Sequence, residues 1–418
     1  MKKVLFTVAA AVLACSTLFM GCSKKNDGIK LEMYYYKQEN QEGLKNIVKA
    51  FEAANPGITV DMLIIPNDAD AAMSSRAAQG KLPDILQMQS YSRVQEYAEK
   101  GYLVDLTNTD VMSKVVDSAK PSVTYNGKQY ALPMDYAGIG IIYNKDLFEQ
   151  YGLSAPATAR ELQNVCRTLK ANGIVPFSGL LKENWSAGHF ITLVHTALLQ
   201  DEAVNGTDFV NAMNEGKASY GDVDTDELFS ILDFYRDNMA ANATEMDGGA
   251  QQQSFAKGES AMIAQGLWTY ADTIKINPSL NCGFVPYPVY NDADKNVFYA
   301  DVDSTFGLSS QSSKEKQEAA MKFLEFLSTE QGSKMWVSEY KLTNSFKGGD
   351  FKELGVPYDE LMQSVAEKGA NPWLFSQYPS EVFEDSVKNG AQQYMMKTID
   401  ADSVIANIDA QWAEKASK

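Results

Sequence analysis

Two histidines, His189 and His195, are all the imidazole this chain carries. A histidine-based metal site or a Ser-His-Asp triad would have to run through one of them. His189 stands one turn past Trp185 and reads as a buried, hydrogen-bonded histidine. The four cysteines, Cys15, Cys22, Cys166 and Cys282, show no CxxC spacing, so no redox dithiol or zinc ribbon is encoded. Cys166 and Cys282 read as two buried thiols. No GxxxxGK[ST] loop is present to cradle a nucleotide's phosphates. The remaining chemistry is that of aromatic planes and carboxylates. Five tryptophans are joined by 21 Tyr and 19 Phe, and Asp301 and Asp303 are spaced so that a strand would place both on one face.

A chain of 418 residues needs two or three domains to hold these groups. Its composition, 45% apolar and 22% charged, is that of a globular protein. A net charge of −17 argues against binding nucleic acid or an anionic membrane surface. Met1-Lys2-Lys3 is basic and Val4 to Met20 is uncharged and apolar, the pattern of an export signal too short to span a bilayer. Leu18-Phe19-Met20-Gly21-Cys22-Ser23 resembles a bacterial lipobox, with Phe19 where Leu is usual. Residues 1–21 are therefore expected to be a leader, Cys22 the lipidated first residue, and 22–28 a polar tether.

Strand and helix signals alternate from Ile29 onward. Ile29 to Tyr36 reads as a strand. Leu44, Ile47, Val48 and Phe51 then mark one face of a helix that Asn55-Pro56-Gly57 stops. Ile58, Val60, Met62 and Ile64 alternate as a second strand. A helix over 69–79, a strand over 84–88 and a helix over 91–100 complete a βαβαβα order, which predicts a parallel sheet covered by helices. Further helices are expected over 161–171, 185–200, 225–239 and 315–327, and from Glu381 onward. No linker separates these units.

Several segments together resemble one family. Phe51-Glu52-Ala53-Ala54-Asn55-Pro56-Gly57-Ile58-Thr59-Val60, Gly80-Lys81-Leu82-Pro83-Asp84-Ile85 and Tyr143-Asn144-Lys145-Asp146-Leu147-Phe148 match its motifs in order. So do Phe255 to Trp268 and Glu318 to Gln331. The chain resembles the maltose-binding-like, family 1 extracellular solute-binding proteins of ATP-binding-cassette sugar importers.

The resemblance implies an α/β, two-lobed periplasmic-binding-protein-like fold, each lobe a sheet flanked by helices, with ligand held in the cleft. The lobes are expected to be discontinuous: 29–136 with 302–335, and 137–301 with 336–418. It further implies a monomer without cofactor or catalytic residues. Such a protein would sit lipid-anchored on the extracellular face of the cell membrane and pass a carbohydrate to permease subunits.

Sugars offer apolar ring faces rimmed by hydroxyls, so their sites need flat aromatics and charge-assisted acceptors. Trp268 stands where the family places its stacking tryptophan. Trp373, in Asn371-Pro372-Trp373, and Trp185, opening a helix, are expected beside it; Trp336 and Trp412 are expected in the core. Asp135, Asp301 and Asp303 lie at expected lobe crossings. Gln38 and Glu39 follow the first strand, and Ser90 and Tyr91 the third, at the carboxyl ends where open α/β sheets bind ligands. A glycoside hydrolase using Asp135 with Asp303, a surface adhesion lipoprotein, and an iron binder built on Tyr35, Tyr36 and Tyr91 stand as alternatives.

Overall fold

The computed structural model describes residues 28–37, 39–65 and 69–417. The expected leader, Cys22, its tether up to residue 27, and Gln38 lie outside these residues.

The first strand, β1 (Ile29–Tyr35), runs parallel to β2 (Ile58–Ile64) in the register Ile29↔Ile58 to Tyr35↔Ile64. The helix between them, Gln41–Ala54, buries the predicted stripe Leu44, Ile47, Val48 and Phe51 against the sheet. Gly57 after it takes φ +95°, a left-handed turn that glycine allows without a Cβ clash. On the other side of β1 lies β3 (Ile85–Gln89), also parallel. A small hairpin of β4 (Thr124–Tyr125) and β5 (Lys128–Gln129) turns through Asn126 and Gly127, both at positive φ, as a two-residue hairpin requires. After it come β6 (Ala131–Pro133) and the long, almost wholly buried β7 (Tyr136–Asn144). The remaining strands are β8 (Val175–Phe177), β9 (Ser260–Gly266), β10 (Cys282–Val285), β11 (Tyr299–Val302) and β12 (Ser304–Leu308).

Two sheets result. The first has the order β2-β1-β3-β12-β6, the second β10-β7-β9-β8 with β11 also on β7. The expected parallel sheet is therefore correct for β1 to β3 only. β12 adds antiparallel to β3 and β6, and most pairs of the second sheet are antiparallel. These late additions are three to five residues long and too short to show a period in sequence.

The chain passes between sheets at residues 134–135 and at Asp303. The ladder stays paired through the passage, with Met134 N donating to Ser304 O at 3.0 Å and Asp303 N to Asp135 O at 3.1 Å. A third passage lies between Lys347, whose N–H bonds Lys114 O at 2.9 Å, and the helix Val356–Lys368, whose Glu360 accepts from Phe284 N at 2.6 Å.

The lobe limits need two corrections. Residues 336–347 pack with the first lobe, not the second. Trp336 meets Phe306 of β12 at a ring-centroid distance of 6.0 Å, Tyr340 OH lies 3.1 Å from Tyr35 OH, and Gly43 lies directly against the Glu339–Tyr340 backbone. Tyr136 and Val302 also belong to the second sheet, as the partners that end the β7–β11 ladder. Trp336 and Trp412 are core residues as expected, and Cys166 and Cys282 are buried free thiols that burial raises to a pKa of about 12. Among the described residues no helix is long and apolar enough to cross a membrane.

Candidate functional site

Where the lobes meet, an ionic cluster stands beside an aromatic one. The ionic cluster begins with Lys37, directly past the end of β1. Its Nζ donates to Asp135 Oδ2 at 3.0 Å and to Asp303 Oδ2 at 2.5 Å, with its side chain 3% exposed. Asp135 Oδ1 accepts from Ser304 N at 2.6 Å and from Ser304 Oγ at 2.7 Å. One lysine from the first lobe thus fastens both paired crossing strands. The third stretch joins them: Ser345 Oγ donates to Met134 O at 2.9 Å, and Thr343 bonds both the N–H and the carbonyl of Tyr136. Burial works against the Lys37 charge, but Asp135 and Asp303 outweigh it and hold the ammonium well above its ordinary pKa. Burial raises the Asp303 carboxyl against the pull of Lys37, and it raises Glu39 in the same way.

This arrangement removes Asp135 from the ligand-contacting residues. It is 0% exposed, and both oxygens are committed to protein donors. It therefore cannot serve as the acid of an Asp135–Asp303 hydrolytic pair. Ser90 is removed for the same reason: it is fully buried, its Oγ donates to Val302 O at 2.6 Å, and its N–H bonds Asp303 O. Asp301 and Asp303 do not act as the matched pair that strand alternation predicts. β11 ends between them, and each has its own partners. Asp301 accepts from Val302 N at 2.8 Å, from Trp373 N at 3.3 Å, and from Tyr91 OH at 3.0 and 3.1 Å. Burial still pushes its carboxyl up to about 6, with those hydrogen bonds opposing.

The aromatic cluster belongs to the second lobe. Trp268 follows β9 in a single 3-10 turn, and its indole folds back over Gly266, where a Cβ would come within 1.9 Å of the ring. The Gly-x-Trp spacing is therefore a packing requirement. Trp185 and His189, at the start of the helix Asn184–Asp201, lie 6.4 and 6.1 Å from the Trp268 ring. Trp373 meets it edge-on at 5.8 Å, and Phe375 stacks on His189 at 4.3 Å. Trp185 keeps part of its surface and donates from Nε1 to Glu183 at 2.6 Å.

Trp373 is not the exposed tryptophan its irregular segment suggested. It is 2% exposed and backs Trp268 from within. Asn371 pairs with Phe298 and Ala300 alongside β11, which turns the following indole inward. A narrow hollow beside Trp268 and Trp185, with room for about one water, is lined by Gln265, Tyr287 and His189, and buries a polar atom of each without a protein partner. Burial and nearby Lys388 depress the His189 pKa to about 3, so its ring is neutral. Of these, Gln265 had a signal that went unread: it is a polar residue in the otherwise apolar run Ala261–Gly266. Among the described residues no group of three or more His, Cys, Asp or Glu could hold a metal ion.

Comparison with known proteins identifies the family and the fold. The family model described as bacterial extracellular solute-binding protein matches residues 37–334. The multiple sugar-binding protein of Streptococcus mutans is 26% identical over 294 residues, covering 65% of this chain and 67% of its own. The melibiose/raffinose/stachyose-binding protein MelE of Bacillus subtilis is 25% identical over 301 residues, covering 66% and 67%. Among solved structures, a chitin oligosaccharide binding protein superposes with a TM-score of 0.81 at 20% identity, over 93% of this chain and 99% of that one. RafE in complex with raffinose gives 0.79 at 21% identity over 93% and 100%, and apo RafE from Streptococcus pneumoniae gives 0.70 at 21% over 93% and 98%.

Proposed function

Because the chain belongs to the bacterial extracellular solute-binding proteins, a family of binders and not enzymes, we propose that it captures an oligosaccharide between its lobes for an ATP-binding-cassette importer. The observation that carries this reading is the Trp268–Trp185 pair at the lobe junction. The two indoles are tilted 57° to each other, Trp185 half-buried and Trp268 8% exposed, and would present apolar faces to successive sugar rings once the lobes part. Glu39 and Asp303 at the same junction are the acceptors for hydroxyls, Gln38, next to Glu39 in sequence, is proposed with them, and Trp373 backs the wall. The lobes rotate about the Lys37-bound crossings and close on the ligand. The higher TM-score to the raffinose-bound form of RafE than to its ligand-free form supports a closed arrangement here. The ligands of these relatives support raffinose-type or chitin-type oligosaccharides as the class.

The remaining parts of the reading are a lipid anchor at Cys22, membrane attachment on the outer face, and a monomer. Loss of membrane partitioning in Cys22→Ala checks the anchor. The ligand reading is tested by thermal unfolding against raffinose, stachyose, maltodextrins and chito-oligosaccharides. A ligand at a hundredfold excess over its Kd stabilises the folded state by about 2.7 kcal/mol, so one class should raise Tm by several degrees. If none of the panel moves Tm at millimolar concentration, the carbohydrate reading fails.

A further inference from the structure

We propose that Tyr91 is a positioning residue that bolts the first lobe to the second through Asp301, and so sets how far the lobes stand closed before any ligand arrives. The inference rests on the two-lobe capture described above, but it concerns a residue that does not itself grip the sugar.

Two independent observations meet at Tyr91. The first is its backbone. At φ +54° and ψ −107° it occupies a region that residues with a Cβ avoid, and such outliers persist only where the surroundings dictate them. Here they do so from both sides. Ser90, one residue earlier, is tied to the crossing strand through Val302 O and Asp303 O. Tyr91 N itself donates to Ser122 O at 2.6 Å, and Tyr91 O accepts from Gln95 N as the helix Ser92–Glu99 begins.

The second observation is where the phenol goes. Its hydroxyl sits 3.0 and 3.1 Å from the two oxygens of Asp301, whose other donors, Val302 N and Trp373 N, both belong to the second lobe. Tyr91 is thus the first lobe's hold on a carboxylate that is otherwise locked to the second. Through Trp373 N, that carboxylate also steadies the segment that backs Trp268. The helix that Tyr91 opens adds a second tie nearby, with Glu96 Oε1 accepting from Ser380 N at 3.2 Å.

Tyr91→Phe keeps the ring and removes the bolt. Small-angle scattering of the ligand-free protein should give a larger radius of gyration for Tyr91→Phe than for wild type, with an unchanged melting temperature to within a few degrees. An unchanged radius overturns the proposal, whether or not any sugar binds, so this arm stands apart from the carbohydrate reading. Raffinose affinity provides the second arm. Tyr91→Phe should weaken it about three- to tenfold in wild type and by less than twofold in the Asp301→Ala background, because the acceptor is already gone. Equal losses in both backgrounds would instead make Tyr91 a direct ligand contact and overturn the bolt.

Discussion

The ionic cluster at the crossings and the aromatic cluster, joined through the Asp301–Trp373 hydrogen bond, are built on opposite principles. Lys37, Asp135, Asp303 and Ser304 form a closed set in which almost every charge and lone pair has a fixed protein partner. Buried charge of this kind is tolerated only when paired, so the cluster admits one geometry. Trp185, His189, Trp268 and Trp373 touch mainly through ring faces and edges, leaving polar atoms of His189 and Trp373 without protein partners. Such contacts are soft in direction and tolerate a guest. The difference assigns the labour: the ions fix where the lobes stand, and the rings take what comes between them.

The largest effect should come from breaking the ionic side. Lys37→Met leaves two buried carboxylates without their cation, and opening such a pair commonly costs about 3–5 kcal/mol. Urea unfolding should show a loss of that order, whereas Trp185→Ala, at a half-buried ring, should lose much less. A Lys37→Met protein within about 1 kcal/mol of wild type would mean that the charges do not hold the crossings.

A smaller effect sharpens the boundary between the clusters at Asp301. Its carboxyl is raised from 3.8 to about 6, chiefly by burial, so the folded protein binds a proton there that the unfolded chain releases. That contribution to stability is complete below about pH 4 and is lost as pH rises through about 6. Melting curves of Asp301→Asn should therefore fall less between pH 4 and pH 6.5 than those of wild type. Parallel profiles would place Asp301 in a more solvated setting than the one described.

The legible parts of the fold were those with local periods. The Leu44–Phe51 stripe and the alternation from Ile58 to Ile64 each depend on neighbours in sequence, and each was read correctly. What could not be read was set by distant partners. Asp135 lies at a crossing as expected, but its withdrawal from ligand was not readable, because Lys37, 98 positions away, and Ser304, 169 away, converge on its oxygens. Trp373 turned inward because Asn371 pairs beside Ala300. Residues 336–347 joined the first lobe through Phe306 and Tyr35, and nothing in their local pattern distinguishes that docking from the alternative.

The division of labour between the clusters is tested most directly by calorimetric titration of Trp268→Ala with whichever oligosaccharide most raises the wild-type melting temperature, carried out well below the variant's own melting point. Truncating a central aromatic of a binding site commonly costs ~2 kcal/mol or more, so affinity should fall by at least about 30-fold while the variant remains folded by circular dichroism. A folded Trp268→Ala protein that binds the sugar as tightly as wild type would contradict the account and move the ligand away from the aromatic wall.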